Sequence, residues 1–234
     1  MVGFPITSVR EIKVLKLCDH QNVVKLVEIV RGRGNSVYLV FEFVQHDLHK
    51  ILVESKELTV FNILQLKYIL RQILEGCAYL HKKEIIHRDI KAANILINNQ
   101  GIVKLADFGL AREVRRQEPL TTRLVTRWYR APEISLQEKY YSFQSDVWSV
   151  GCVFAEMVAR EPLFNSRTDH EHFAVIIGQL EGQNAPLPKD EDWPKFSAMY
   201  DKVYSEEMPK PNLPEKLNRG GLQHFFDKIE KNPA

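Results

Sequence analysis

Apolar positions at Val9, Ile12 and Leu15, introduced by Pro5 and carrying the acidic Glu11, predict an amphipathic helix from about Ile6 to Leu17. Two stretches rich in β-branched and aromatic residues follow, Val23 to Val30 and Val37 to Phe43. Between them Arg31-Gly32-Arg33-Gly34-Asn35 carries turn chemistry, so the pair reads as a hairpin. Steps of three and four link Ile63, Leu66, Leu70, Ile73, Cys77 and Leu80 on one stripe of a long helix from Val60 to His81. Ile95 to Ile97 and Ile102 to Leu105 flank Asn98-Asn99-Gln100-Gly101 as a second, shorter hairpin. Ser145 to Arg160 is apolar on nearly every side, the pattern of a helix buried in a larger lobe, and Asp169 to Glu181 reads as a further helix ending before Gly182. From Asn184 the composition turns to Pro, Lys, Glu and Asp with short helical patches, which predicts a surface insertion rather than another core layer. Asn232-Pro233 reads as an N-cap and a first helical residue with no helix after them, so the chain reads as stopping within a domain.

With 234 residues, 44% apolar and 26% charged, the chain is long and apolar enough for a sizeable core. A formal charge of +2 is too small to make general nucleic-acid binding the leading idea. Cys18, Cys77 and Cys152 are odd in number and never C-x-x-C, which argues against a disulfide framework or a zinc site and for a reduced, intracellular protein. No run approaches the roughly 18 uncharged apolar residues of a membrane span, and residues 1–11 lack the basic and apolar regions of a secretion signal.

Chemistry concentrates in His87-Arg88-Asp89-Ile90-Lys91-Ala92-Ala93-Asn94, then Asp107-Phe108-Gly109, then Ala131-Pro132-Glu133. An H-R-D-x-x-x-x-N loop supplies an aspartate for a hydroxyl proton and an asparagine for Mg²⁺, and a D-F-G aspartate holds the metal bridging nucleotide phosphates. Asp89 alone reads as a solvated loop residue and Asp107 alone as a turn cap. Their joint order and spacing reverse both readings. The G-x-G at residues 32–34 is a hairpin turn, because Val37 occupies the last position of a phosphate-binding G-x-G-x-x-G.

On these motifs the chain resembles the eukaryotic protein kinases. Pro5-Ile6-Thr7-Ser8-Val9-Arg10-Glu11 resembles the cyclin-contacting helix of the cyclin-dependent kinases, and Gly3-Phe4, Lys91-Ala92-Ala93-Asn94 and the long insert are most similar to the transcription-associated members. The resemblance implies an α+β, protein-kinase-like fold. An incomplete small β-rich N-lobe over residues 1–44 would precede a mostly helical C-lobe over 45–183, with a polar insert over 184–234. It implies Asp89 as catalytic base or orienter, Lys91 on the transferring phosphoryl group, and Asn94 with Asp107 on Mg²⁺. For ATP it implies Phe41 at the back of the adenine pocket, backbone groups of Glu42 and Val44, Asp47 toward the ribose and Leu96 beneath the base. Thr121 would be the phosphorylated residue, ahead of Thr122 by register, with Arg10, Arg88 and Arg112 receiving its phosphate. Trp128-Tyr129-Arg130 resembles the element that selects proline after the target Ser or Thr. The partners so implied are a cyclin-like subunit and proteins with Ser/Thr-Pro sites, with no direct nucleic acid and no membrane, in the nucleus or the cytoplasm, the subfamily resemblance favouring the nucleus.

The chain also departs from the pattern. Leu120 replaces a frequent tyrosine, Arg127 stands where cyclin-dependent kinases usually carry leucine, and Thr121-Thr122-Arg123 lacks the T-x-Y pair of mitogen-activated kinases. Neither a glycine-rich loop nor a V-A-x-K strand precedes Glu11, and Lys13 and Lys16 share the helix of Glu11 and cannot replace that lysine. The family's arginine partner of Glu133 falls beyond Ala234, so the chain reads as cut at both ends. Two expectations follow: a proline-directed serine/threonine kinase of the cyclin-dependent type, weakly active or inactive as this chain, or a catalytically dead pseudokinase or scaffold that binds a cyclin-like partner.

Overall fold

A computed structural model describes residues 6–33, 36–55, 61–114, 118–122, 126–181, 187–205 and Leu222, with the side chains of residues 6–10 and 181 left undescribed. Helix α1 spans Ile6–Leu17. Its last turn buries Val14 and Leu15 and gives the Leu17 carbonyl to the Tyr79 hydroxyl at 3.4 Å. Strands β1 (Leu26–Arg31) and β2 (Val37–Phe41) form an antiparallel hairpin with a bulge between Leu26 and Glu28.

Helix α3, Ile63–Lys82, starts where Asn62 and Gln65 exchange side-chain-to-amide bonds, a capping box that apolar periodicity alone does not reveal. Its buried stripe is Leu66, Ile69, Ile73, Cys77 and Leu80. Ile63, assigned to that stripe from spacing, is 41% exposed because it sits in the first turn, ahead of the packed face. Gly76 marks the closest approach: a Cβ there would lie 2.9 Å from the Asn22 carbonyl oxygen and 3.0 Å from Leu105. Around this contact the Asn22 amide donates to Gln72 and to the Val103 carbonyl, and Gln72 accepts from the Val103 amide. A buried polar net thus ties the segment before β1 to α3.

Short strands set up the centre. Strand β3 (His46–Asp47) leads into α2 (Leu48–Glu54), and β4 (Ile85–Ile86) follows α3. Strands β5 (Ile95–Ile97) and β6 (Val103–Leu105) make the second hairpin, where Asn98 Oδ1 accepts the Gln100 and Ile102 amides and Gly101 takes φ +77°. The sheets run β3-β5-β6 and β4-β7, with β7 at Arg112–Glu113. Asp47 therefore faces Leu96, and Arg112 faces Ile86 beside the His87-Arg88 corner.

Helix α4 spans Pro132–Ser135, and α5, Gln144–Ala159, packs on α3 and ends at left-handed Arg160. The guanidinium of Arg160 donates to the carbonyls of Leu52 and Ser55, tying α5 to the end of α2. Although the pattern predicts α5 to be buried all round, Val147 is 53% exposed and a Cβ at Gly151 would meet open space. Helix α6 occupies Asp169–Glu181 as the pattern predicts.

The polar stretch after Asn184 needs correction. Within its described part lies α7, Phe196–Val203, whose Phe196 and Val203, followed by Tyr204, are buried against Phe173 and Leu136, with Trp193 and Tyr200 packed beside them. The spacing of 193, 196, 200 and 204 is helical, as the short helical patches of the stretch predict, but its polar composition hid that one face of the helix is core. The expected surface insertion thus supplies a second core cluster. Cys77 and Cys152 are buried and Cys18 half-buried, all three unpaired, and burial pushes the Cys18 thiol up to about 11.

Candidate active site

Asp146, in the first turn of α5, organises the site from beneath. Its side chain is 1% exposed, and it accepts three hydrogen bonds: Oδ2 from His81 Nε2 and from the His87 amide, each at 2.9 Å, and Oδ1 from the Arg88 amide at 2.9 Å. Arg88 lies at φ +72°, a conformation that costs a non-glycine residue unless its surroundings hold it, and the carboxylate does so through the amides of His87 and Arg88. His87 is fully buried; its Nε2 donates to the Ala106 carbonyl at 3.1 Å and its Nδ1 accepts from the Asp89 amide at 3.3 Å. Burial holds its pKa below the usual range, so it is neutral packing, in line with the absence of any chemical role assigned to it from sequence.

Above this base, Asp89 is 5% exposed. Oδ2 accepts from Lys91 Nζ at 2.7 Å and from Asn94 Nδ2 at 3.0 Å, and Oδ1 accepts from the Thr126 hydroxyl at 2.7 Å. Lys91 Nζ also donates to Thr126 Oγ1 at 3.2 Å, closing a triangle. Burial alone would raise the Asp89 pKa. The hydrogen bonds from Lys91 and Thr126 and the charge of Lys91 outweigh it, and the carboxyl stays below its ordinary value, ionised and oriented.

Asn94 commits its Nδ2 to the Asp89 carbonyl (2.9 Å) and carboxylate, which leaves Oδ1 as an outward acceptor. Its own carbonyl accepts the Ala106 amide at 2.9 Å, drawing in the residue before Asp107. Asp107 is exposed, at φ +63°, with Oδ1 accepting from the Gly109 amide at 3.3 Å, while Phe108 is buried against His87. An amide oxygen beside an exposed carboxylate is the hard-oxygen donor set that suits Mg²⁺, so the residues present fit that ion. Among the described residues no cluster of three or more His, Cys, Asp or Glu forms a separate metal site.

The residues expected at the nucleotide lie around β2, β3 and β5. Phe41 ends β2 and is 38% exposed. The Glu42 carboxylate accepts from the Lys25 amide at 2.7 Å and from Lys104 at 2.9 Å, and its own amide donates to the Lys25 carbonyl at 3.0 Å, which leaves its carbonyl as the backbone group not so engaged. Val44 is half-buried. Asp47 caps α2 by accepting the Lys50 amide at 2.7 Å and is opposite Leu96, so these two come together as expected. Glu11 is half-buried; burial and then the charge of Asp107 raise its pKa. Pro5, and the side chains of Ile6, Thr7, Ser8, Val9 and Arg10, lie outside the described residues.

A cavity of about 460 Å³ opens between α1, β7 and the segment before Thr121, bordered by Lys13, Arg88, Arg112, Glu113, Glu118 and Thr121. Arg88 Nη2 donates to the Thr121 carbonyl at 2.7 Å, and the Tyr141 hydroxyl donates to the same oxygen at 2.8 Å. Of the three arginines expected at Thr121, Arg88 and Arg112 are brought together here. Beyond it, Trp128 Nε1 donates to the Ser166 carbonyl at 3.1 Å, Arg127 and Arg130 share Asp169 Oδ1 at 2.8 and 3.2 Å, and the Tyr129 hydroxyl donates to Glu156 at 2.6 Å.

Thr126, Tyr141 and Asp146 were missed in the sequence. A buried acid at the start of an otherwise apolar helix was the available signal for Asp146. Nothing local marked Thr126, whose contacts with Asp89 and Lys91 span sequence separations of 37 and 35.

The model of the "Protein kinase domain" family matches residues 4–217. The chain belongs to the protein kinase family. Among its relatives are human "Cyclin-dependent kinase 9", 41% identical over 92% of this chain and 60% of that protein, and "Cyclin-dependent kinase C-3" of Oryza sativa subsp. japonica, 40% identical over 96% and 69%. These place it with the cyclin-dependent kinases. A crystal structure of the yeast RNA Pol II CTD kinase CTDK-1 complex holds a chain of the same fold, with a TM-score of 0.79 and 33% identity over 97% of this chain and 76% of that one. The kinase-like fold expected from the motifs is therefore the fold of this chain. It spans about 60% of the length of the cyclin-dependent kinase 9 relatives.

Proposed function

We propose that this chain is the part of a serine/threonine protein kinase that receives the substrate hydroxyl and holds the metal, in a protein that transfers the γ-phosphoryl group of ATP to Ser/Thr-Pro sites. The observation that carries the reading is the Asp89 carboxylate, ionised and fixed by Lys91, Asn94 and Thr126. A carboxylate so held can orient a substrate hydroxyl and accept its proton, and Lys91 beside it offers positive charge to the group in transfer. Asn94 and Asp107 would hold Mg²⁺, which when bound neutralises the nucleotide phosphates. Phe41, the backbone of Glu42 and Val44, Asp47 and Leu96 would receive ATP. Helix α1 would meet a cyclin-like subunit, and Thr121 would be phosphorylated against Arg10, Arg88 and Arg112. The RNA Pol II CTD kinase named in the structural neighbour's title supports nuclear residence in this reading, and residues 1–44, 45–183 and 184–234 are our division of the chain.

The negative charge of Asp107, felt at half-buried Glu11, favours a second reading, in which the chain binds a cyclin-like partner as a scaffold without turnover. Phosphotransfer by this chain with Mg-ATP and a Ser-Pro peptide separates the two. We expect little or no turnover from residues 1–234 alone, in which no G-x-G-x-x-G loop and no V-A-x-K strand stands before Glu11. Robust turnover that is lost on Asp89→Asn would establish the chain as an active enzyme and remove the scaffold reading.

A further inference from the structure

The cavity beside Thr121 already holds anions of its own. Three cations, Lys13, Arg88 and Arg112, border it together with two carboxylates, Glu113 and Glu118. Glu113 is committed elsewhere: it lies 2.5 Å from Lys13 Nζ, tying β7 to α1, and its backbone pairs with Ile85. Arg88 has spent Nη2 on the Thr121 carbonyl and rests over the Tyr141 ring at 5.7 Å, while its Nε is buried with no hydrogen-bond partner. The backbone after Glu118 is anchored, because the Leu120 amide donates to the Lys139 carbonyl at 2.8 Å and the Thr121 carbonyl takes two donors.

We propose that Glu118 is a resident counter-ion of this arginine cavity, holding in the unmodified chain the field that a phosphate on Thr121 takes over. Phosphorylation is then an exchange of one anion for another rather than the filling of a bare cationic hole. This rests on the reading of Thr121 as the phosphorylated residue. In that modification a bond forms from Thr121 Oγ1 to the γ-phosphorus of ATP, ADP leaves, and the hydroxyl proton passes to solvent.

Charge decides the direction. The described side chains at the cavity are three cations and two carboxylates. A phosphothreonine near −2 brings as much negative charge as both carboxylates together. Glu118, on the wall of the same cavity, then stands as a like charge and opposes part of the ordering that Arg88 and Arg112 give the phosphate. Glu118→Gln keeps the size and removes the charge.

The test is a two-by-two comparison on the full chain: threonine or phosphothreonine at 121, each in the parent and in the Glu118→Gln variant, read as melting temperature at low ionic strength. Glu75→Gln, an exposed carboxylate paired with Arg71 on α3, controls for net charge. The expected result is that Glu118→Gln lowers the melting temperature of the unmodified chain and roughly doubles the upward shift caused by the phosphate, while Glu75→Gln leaves that shift unchanged. A phosphate shift of the same size in the parent and in Glu118→Gln overturns the counter-ion role and leaves the Thr121 reading standing. No phosphate shift in either background overturns the Thr121 reading and the proposal with it.

Discussion

Asp146 makes none of the contacts a catalytic group makes, yet three groups of the His81, His87 and Arg88 region converge on it. Breaking such a buried, multiply bonded carboxylate strands its donors, and Asp146→Ala should lower the free energy of unfolding by about 3–5 kcal/mol, seen as a lower denaturant midpoint. An unchanged midpoint would mean that the Arg88 conformation holds itself. His172 gives a pH signature at the same scale. It is fully buried between Ser166 Oγ (3.0 Å) and the Arg130 carbonyl (3.1 Å), and burial drives its pKa from 6.5 to about 4. The unfolded chain therefore binds a proton through pH 6.5 that the folded chain refuses until about 4. The resulting stability is fully present above 6.5 and is lost as pH falls toward 4, by roughly 3 kcal/mol at most. The slope of stability against pH between 4 and 6.5 should be shallower in His172→Asn than in the parent, with carboxylate titration common to both. Parallel slopes would remove His172 from the account.

At the scale of elements, α7 tests whether the polar tail belongs to the core. Phe196 is 2% exposed and packs its ring within 6 Å of the rings of Phe173, Trp193 and Tyr200. Phe196→Ala should cost about 3–5 kcal/mol and raise amide exchange along 196–203. A cost below about 0.5 kcal/mol would return this stretch to the surface role its composition suggests. Gly76 makes the matching case on α3. Gly76→Ala gains helix propensity of about 1 kcal/mol, but the added methyl meets a backbone carbonyl that the Asn22–Gln72 net holds in place. The expected outcome is net destabilisation of about 1–3 kcal/mol by chemical denaturation.

At the scale of the whole molecule, the β1–β2 hairpin and the Phe43 that follows it are thinly covered among the described residues. Val27, Tyr38 and Phe43 are 61%, 61% and 83% exposed, and a two-stranded sheet whose edges pair with no other described strand is a ready site for association. Val27→Lys with Phe43→Ser should raise the concentration at which the chain stays monomeric in sedimentation, with less than about 1 kcal/mol lost in stability. Unchanged association would place the sticky surface elsewhere, with the open side of α5 at Val147 and Gly151 next in line.

Much of this was legible in order along the chain. The repeat of apolar residues gave α1, α5 and α6 to within a residue and α3 to within three at its start, since those helices are long and one-sided or apolar throughout, and local periodicity is all they require. Asp89, Lys91, Asn94 and Asp107 stand close in sequence, which is why their shared chemistry could be read from spacing. What spacing could not give were the partners that fold from far away: Thr126 onto Asp89, Asp146 under His87 and Arg88, and α7 against Phe173. Nor could it show the Glu42 carboxylate turned toward Lys104, or Glu118 and Arg88 bordering one cavity. Each of those depends on which surfaces meet once the core has closed. The sequence alone determined the kind of chemistry and the family; only the tertiary structure decided how Asp89 is held and which charges already occupy the cavity beside Thr121, because both are set by contacts between segments distant along the chain.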